Sequence, residues 1–223
     1  MEVIMRTKQT GFTLVELAIA MVIIGLLLAG ILKGQELINS GKVKNLAGDF
    51  RSIATAYWGY QDKFRAVAGD DKAADTHVGA TAVTEVGNGN GAIGGAWDSS
   101  TTSDESVMFW SHVRRAGLLP GPTAIAGTSP YLPTNSVGGR IGITSGSVAA
   151  DKPMSNADFA GAFYICSGSI PGKLAKEIDT ALDDGVSNTG SVRVVLPAGG
   201  AAVPMTGQGA IDDNTLYTVC VAN

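Results

Sequence analysis

The sequence predicts an α+β fold: a long N-terminal α-helix, membrane-like in its first half and amphipathic in its second, packed on a C-terminal antiparallel β-sheet head. Three observations carry this. Phe12 to Leu32 is an apolar run of 21 residues whose sole ionisable side chain is Glu16. Beyond Lys33 the apolar positions Val43, Leu46, Ala47, Phe50, Ile53, Ala54, Tyr57 and Phe64 advance by threes and fours, the spacing of one helix face. Short runs rich in β-formers come only late in the chain, which segregates helix from sheet.

At about 1.5 Å per residue the first run reaches roughly 31 Å, the thickness of a bilayer's hydrocarbon core. A lone carboxylate inside such a span costs about 2.5–3.5 kcal/mol on insertion scales. Glu16 therefore needs a partner or a task. No proline occurs before Pro120, so nothing forces the helix to stop at the membrane. The two patterns read as one helix from about Thr13 to Phe64. Gly30 and Gly34 form a G-x-x-x-G, which suits close helix packing and equally reads as glycines that loosen the helix. Sustained heptads are lacking, so a coiled coil is not expected.

Arg6 and Lys8 precede the run, as in a secretory signal, but such a signal has a shorter apolar core followed by an A-x-A-like site. Here the small residue, Gly11, comes before the apolar run. Lys33, Lys42 and Lys44 follow the span, so flanking charge does not fix its orientation.

Lys8 to Glu16, K-Q-T-G-F-T-L-V-E, resembles the class III signal of type IV pilins and type II secretion pseudopilins. The resemblance implies cleavage between Gly11 and Phe12 by prepilin peptidase, N-methylation of Phe12, and pairing of Glu16 with the amine of a neighbouring subunit. It implies a leader (1–11), a transmembrane and filament-core helix (12–34), an amphipathic continuation (35–66) and a globular head (67–223). Implied partners are other pilin subunits, the peptidase, an inner-membrane assembly platform and the membrane itself. The precursor would sit in the inner membrane with its head in the periplasm, then move to an extracellular pilus or a periplasmic pseudopilus. Many type IV pilins carry a proline near residue 33, where this chain has Lys33. A pilus subunit is the leading expectation. The alternatives are a secretion pseudopilin and a non-polymerising, signal-anchored periplasmic binding protein that keeps residues 1–11.

Removing Glu2, Arg6 and Lys8 with the leader takes the net charge from −4 to −5, which argues against a broad nucleic-acid surface. Glycine, at 30 residues of 223, is about twice its usual share and predicts a loop-rich middle. Gly89, Gly91 and Gly94 spell G-x-G-x-x-G, but no helical stripe follows, so a dinucleotide site is not expected. Ser103-Asp104-Glu105 opens a second helix that ends at Gly117, with Phe109 and Trp110 placed against the Tyr57–Phe64 end of the first. The chain's two histidines, His77 and His112, have no ligand-spaced cysteine or acid and read as surface or structural residues.

Residues 118–158, punctuated by five prolines, allow only short strands such as Arg140 to Thr144. Ala162 to Cys166, Ser191 to Leu196 and Thr215 to Val221 read as strands, and Lys173 to Leu182 as a short helix. Cys166 and Cys220 belong to no metal-binding spacing. In an oxidising periplasm they would form a disulfide joining the first of these strands to the last, as a C-terminal disulfide loop does in many type IV pilins. Asp70-Asp71 to Asp75, Asp183-Asp184-Gly185 to Asn188, and Asp212-Asp213-Asn214 are acid-rich turns. None matches an EF-hand. No cofactor is required, but calcium takes oxygens from such loops, with Asp183, Asp184 and Asn188 as candidates. The same residues read as a helix-ending turn. No G-x-S-x-G, H-E-x-x-H or P-loop occurs, so an enzyme is not expected.

Overall fold

The computed structural model describes residues 11, 13–81, 84–146, 151–197, 199–203 and 209–223. The elements run α1 (Leu14–Phe64), α2 (Ala74–Val78), α3 (Glu105–Arg115), β1 (Ile141–Thr144), β2 (Tyr164–Pro171), α4 (Gly172–Leu182), β3 (Val192–Val195) and β4 (Leu216–Ala222). The chain divides into two units, Met1–Gly41 and Lys42–Asn223. The long helix, the late sheet and the α+β class are as the sequence predicts. The small α2 was not anticipated.

In the first unit every described residue from 13 to 33 is exposed. Leu14 is 88 % accessible and Leu26 71 %, although both are strongly apolar. No residue of this part of α1 is buried within the chain. In the second unit α1 buries Val43, Leu46, Ala47, Phe50, Ile53, Ala56, Tyr57 and Tyr60. That is the 3.6-residue stripe of an amphipathic helix. Arg65 adopts a left-handed φ of 55° and ends the helix.

The four strands lie in the order β1-β2-β4-β3, every neighbour antiparallel. Alternate residues face opposite sides of the sheet. Phe163 precedes β2 and Ile165 lies on it; with Val192 and Val194 of β3 and Tyr217 and Val219 of β4, they join the main core with α1, α3 and α4. Tyr57 stacks on Phe163 with ring centroids 3.9 Å apart. Tyr164, Cys166, Val195 and Cys220 instead form a second cluster with Met154 and Phe159. Cys166 and Cys220 face each other across β2 and β4 and are bonded in a disulfide. It joins the first of the three late strands to the last, as expected.

Buried carboxylates organise the irregular segments. Asp70 is 3 % exposed and accepts the backbone N–H groups of Gly89, Asn90 and Gly91 at 2.6–3.0 Å. Glu105, at the start of α3, accepts from the Asn88 backbone and side chain and from Gly94 N. Burial still pushes its carboxyl above the usual range. The apparent G-x-G-x-x-G is thus a loop folded around the protein's own acids. Gly87 is needed for this approach, because a Cβ there would collide with the Asp70 backbone.

Asp71 accepts from Tyr60 Oη at 2.7 Å and from Ala73 N at 2.9 Å, and pairs with His77 Nδ1 at 2.7 Å. Burial works to raise its carboxyl, but the hydrogen bonds from His77, Tyr60 and Ala73 outweigh it and the carboxyl titrates below the ordinary value. His112 is fully buried. Its Nδ1 accepts from Gly69 N at 2.9 Å, so its Nε2–H donates to the Glu85 carbonyl at 2.8 Å. Burial lowers its pKa and keeps it neutral. Both histidines are structural, and neither meets solvent in the way a free surface histidine would. His112, with its ring centroid 6.1 Å from that of Tyr60, is the α3 ring stacked on the end of α1. Trp110 lies further back, lining a groove of about 260 Å³ with Asp49, Ser52, Ile53 and Arg114.

Two stability predictions follow from these contacts. The disulfide closes a loop with a sequence separation of 54, so replacing both Cys166 and Cys220 by alanine should cost about 4 kcal/mol in the chain-entropy model. Denaturant unfolding followed by tryptophan fluorescence would measure it, and an unchanged midpoint would refute it. A carboxyl held below its unfolded pKa contributes stability above that value and loses it as pH falls through the folded one. Asp71→Asn should therefore cost about 1–3 kcal/mol at neutral pH and flatten the loss of stability below about pH 4. A parallel pH series on both proteins tests this.

Candidate functional site

The N-terminal site is built by the first turn of α1. Thr13 accepts the Glu16 backbone N–H on its Oγ1 at 3.3 Å, and its carbonyl accepts from Leu17 N at 3.2 Å. Glu16 Oε2 in return accepts from both Thr13 N and Thr13 Oγ1 at 2.9 Å. This reciprocal pattern is a capping box, which satisfies donors that a helix start leaves unpaired. Negative charge there also suits the positive end of the helix dipole. Thr13 was missed in the sequence, although T-x-x-E before an apolar run is a recognised helix-start signature. Glu16, which read as an acid without a partner, has one in its own chain. Both bonds go to Oε2, and no described residue donates to Oε1. Gly11 is exposed. Phe12, Arg6 and Lys8 lie outside the described residues.

The glycines of the span make no demands inside the chain. A Cβ added at Gly25, Gly30 or Gly34 would meet nothing within 4 Å. The G-x-x-x-G presents an open notch on an exposed helix. Residues 14–64 form a helix long and apolar enough in its first part to cross a membrane, by length and composition.

The second group of interest lies at the end of α4. Asp183 Oδ2 accepts Ser191 N at 2.6 Å and Val192 N at 3.0 Å. Asp184 accepts Val186 N at 2.8 Å on Oδ1 and Thr189 Oγ1 at 3.0 Å on Oδ2. The Asn188 carbonyl accepts from the Arg193 guanidinium. The residue that joins the two aspartates is Asp179, and carboxylate oxygens of Asp179, Asp183 and Asp184 lie within 4.8 Å of one another. Asp179 was not singled out from the sequence because it reads as part of a short helix's polar face. Its spacing of four from Asp183 was the available signal. It is fully buried, and neither carboxylate oxygen has a hydrogen-bond partner. Burial first, then the charges of Asp184 and Asp183, push its carboxyl up to about 7 against the opposing pull of Arg193.

No curated protein matches the chain. The comparison that succeeds falls on the first site, where Thr13 and Glu16 close the helix start ahead of the exposed apolar span. Residues 6–32 match the family model for the prokaryotic N-terminal methylation motif, and the chain thus carries the hallmark of type IV pilins and pseudopilins.

Proposed function

We propose that the chain is a structural subunit of a type IV pilus-like filament, cleaved between Gly11 and Phe12, methylated at Phe12 and assembled through α1. The observation that carries this reading is the methylation motif at residues 6–32 on a helix whose apolar residues from Leu14 to Leu32 are exposed in the chain's own fold. Burying that surface is worth about 25 cal/mol per Å². Lipid supplies the burial before assembly, and neighbouring copies of α1 supply it after. The open glycines at Gly30 and Gly34 let helices approach closely.

Glu16 gives assembly its register. In a single subunit its carboxylate is held by Thr13. In the filament Oε1 takes the charged Phe12 amine of another subunit, so that a buried acid is compensated and not left alone. The head faces the periplasm in the precursor, where the Cys166–Cys220 disulfide is maintained. The disulfide favours a pilus subunit over a secretion pseudopilin. Deletion of the gene distinguishes them: loss of surface filaments seen by microscopy supports the pilus, whereas a secretion defect with no pili selects the pseudopilin.

Replacing Gly11 by a bulky residue should abolish processing. Mass spectrometry of the purified chain would then find Met1 retained, where the unaltered chain begins at methylated Phe12. A variant that is still cleaved at that bond would sink the assignment. Glu16→Val should leave processing and membrane insertion intact and reduce filament yield at least tenfold. Normal filaments from that variant would refute the pairing role while leaving the processing site standing.

A further inference from the structure

We propose that the groove between α1, α3 and the start of β1 binds a small apolar zwitterion, with its carboxylate on Arg114 and its ammonium on Asp49. The groove has a volume of about 260 Å³, and Ile53, Trp110, Leu119 and Ile141 give it apolar walls. Asp49 and Arg114 line it as well. Apolar walls with a few placed polar groups are the usual make of a small-molecule site. The volume lies just under the roughly 300–1,000 Å³ of sites for drug-sized ligands, so a ligand of amino-acid size suits it.

Arg114 is 9 % exposed, a depth at which arginine is rarely found without a charged partner. Its Nη1 donates to the carbonyl oxygens of Pro122 at 3.0 Å and Tyr131 at 2.7 Å. Its Nε is enclosed and has no acceptor, and no described residue accepts from Nη2. Native structures rarely leave such donors without a partner. Nε and Nη2 share one edge of the guanidinium, and a carboxylate can take both through parallel N–H···O bonds. The group is fixed before any ligand arrives. The rings of Trp110 and Tyr131 centre 5.5 and 5.2 Å from its Cζ. Gly121, with a φ of 131°, lies so close that a Cβ there would come within 2.6 Å of Nε.

Asp49 is half-buried on α1, and no described residue hydrogen-bonds to its carboxylate or pairs with it. Burial without a compensating partner pushes that carboxyl above its ordinary range. One groove thus holds an acid and a base that are not paired with each other or with any other described side chain. A simple carboxylate would answer Arg114 and leave Asp49 bare, and a simple amine would do the reverse. A zwitterion answers both, and its apolar remainder faces Ile53, Trp110, Leu119 and Ile141. A peptide terminus carries one of the two charges, so charge complementarity selects a free amino acid or a similar small molecule. This inference does not depend on the filament reading.

The full-length chain in detergent is titrated with L-leucine, L-phenylalanine and ε-aminocaproate, followed by calorimetry and thermal unfolding. The third probe sets its two charges further apart than the others. At least one should bind with a stoichiometry of one. At a hundredfold excess over its dissociation constant it should raise the unfolding temperature by roughly 5–10 °C. Acetylating that ligand's amine, or amidating its carboxylate, should each weaken binding by about tenfold or more. Asp49→Asn keeps the shape of a side chain that has no partner in the chain, so the variant should fold normally. It should weaken the zwitterion by about tenfold or more and leave the acetylated ligand's affinity unchanged. A merely structural role for Asp49 would move both ligands alike, and that outcome overturns the proposal. Binding weaker than about 1 mM by all three probes overturns it too. So does binding that ignores acetylation or amidation.

Discussion

The first half of α1 is apolar surface that its own chain does not cover. Residues 13–33 are exposed without exception among those described, and Leu14, Met21, Leu26 and Leu32 are each more than 60 % accessible. Hydrophobic residues scattered over a surface need no explanation, but a continuous helical cylinder of them does. Such a segment needs lipid or other helices around it. The requirement also explains why local polar satisfaction matters at its start. A helix entering a low-dielectric medium cannot leave its first N–H groups to water, and the Thr13–Glu16 box takes up that demand within the chain.

The second half of the same helix answers to water, and its sequence changes accordingly. From Val43 onward the stripe is buried against a sheet and a second helix, with Tyr57 on Phe163 and Tyr60 on Asp71. The head then faces a different problem, because glycine-rich segments form poor cores and expose backbone. Asp70 and Glu105 solve it by acting as internal acceptors for the N–H groups of residues 88–94. Each buried carboxylate is satisfied by several donors, and the loop gains an order that its side chains could not supply. What looked like a phosphate-binding pattern is the same backbone chemistry turned inward.

The elements that sequence reasoning reached were those with a periodic signal. The α1 stripe, α3 and the β2, β3 and β4 strands follow from spacing or from β-forming runs, whereas the Cys166–Cys220 bond followed from two cysteines expected in an oxidising compartment. The Asp70 and Glu105 nests were beyond reach because their partners lie 11–21 residues away in irregular chain. Nothing in a one-dimensional pattern says which acid a glycine loop will wrap. The His77–Asp71 pair escaped for the opposite reason. Its residues are six apart, but the turn and the short α2 between them carry no periodicity. Thr13 was legible, since Thr13 to Glu16 spells T-x-x-E ahead of an apolar run, with Glu16 the fourth residue of a capping box. Asp183 and Asp184 were seen as an acidic turn, while Asp179 was not, because burial at the end of α4 is set by packing against the sheet.

The acids of this protein therefore separate by what already satisfies them. Asp70 accepts three backbone N–H groups, Glu105 two backbone N–H groups and the Asn88 side chain, and Asp71 a tyrosine, a histidine and an amide. Asp179 has all of its valence left, in a place where water does not reach. Glu16 lies between these extremes. Its carboxylate is held by Thr13, so an unassembled subunit carries no naked charge, yet the hold comes from neutral donors on one oxygen. Those bonds are charge-assisted on the acceptor side alone, whereas an ammonium donor also brings the opposite full charge, which neutral donors do not supply. An acid that is satisfied locally but can be satisfied better by a second chain favours assembly without destabilising the waiting monomer. That asymmetry, more than the bare presence of a carboxylate in an apolar helix, suits Glu16 to the role proposed for it.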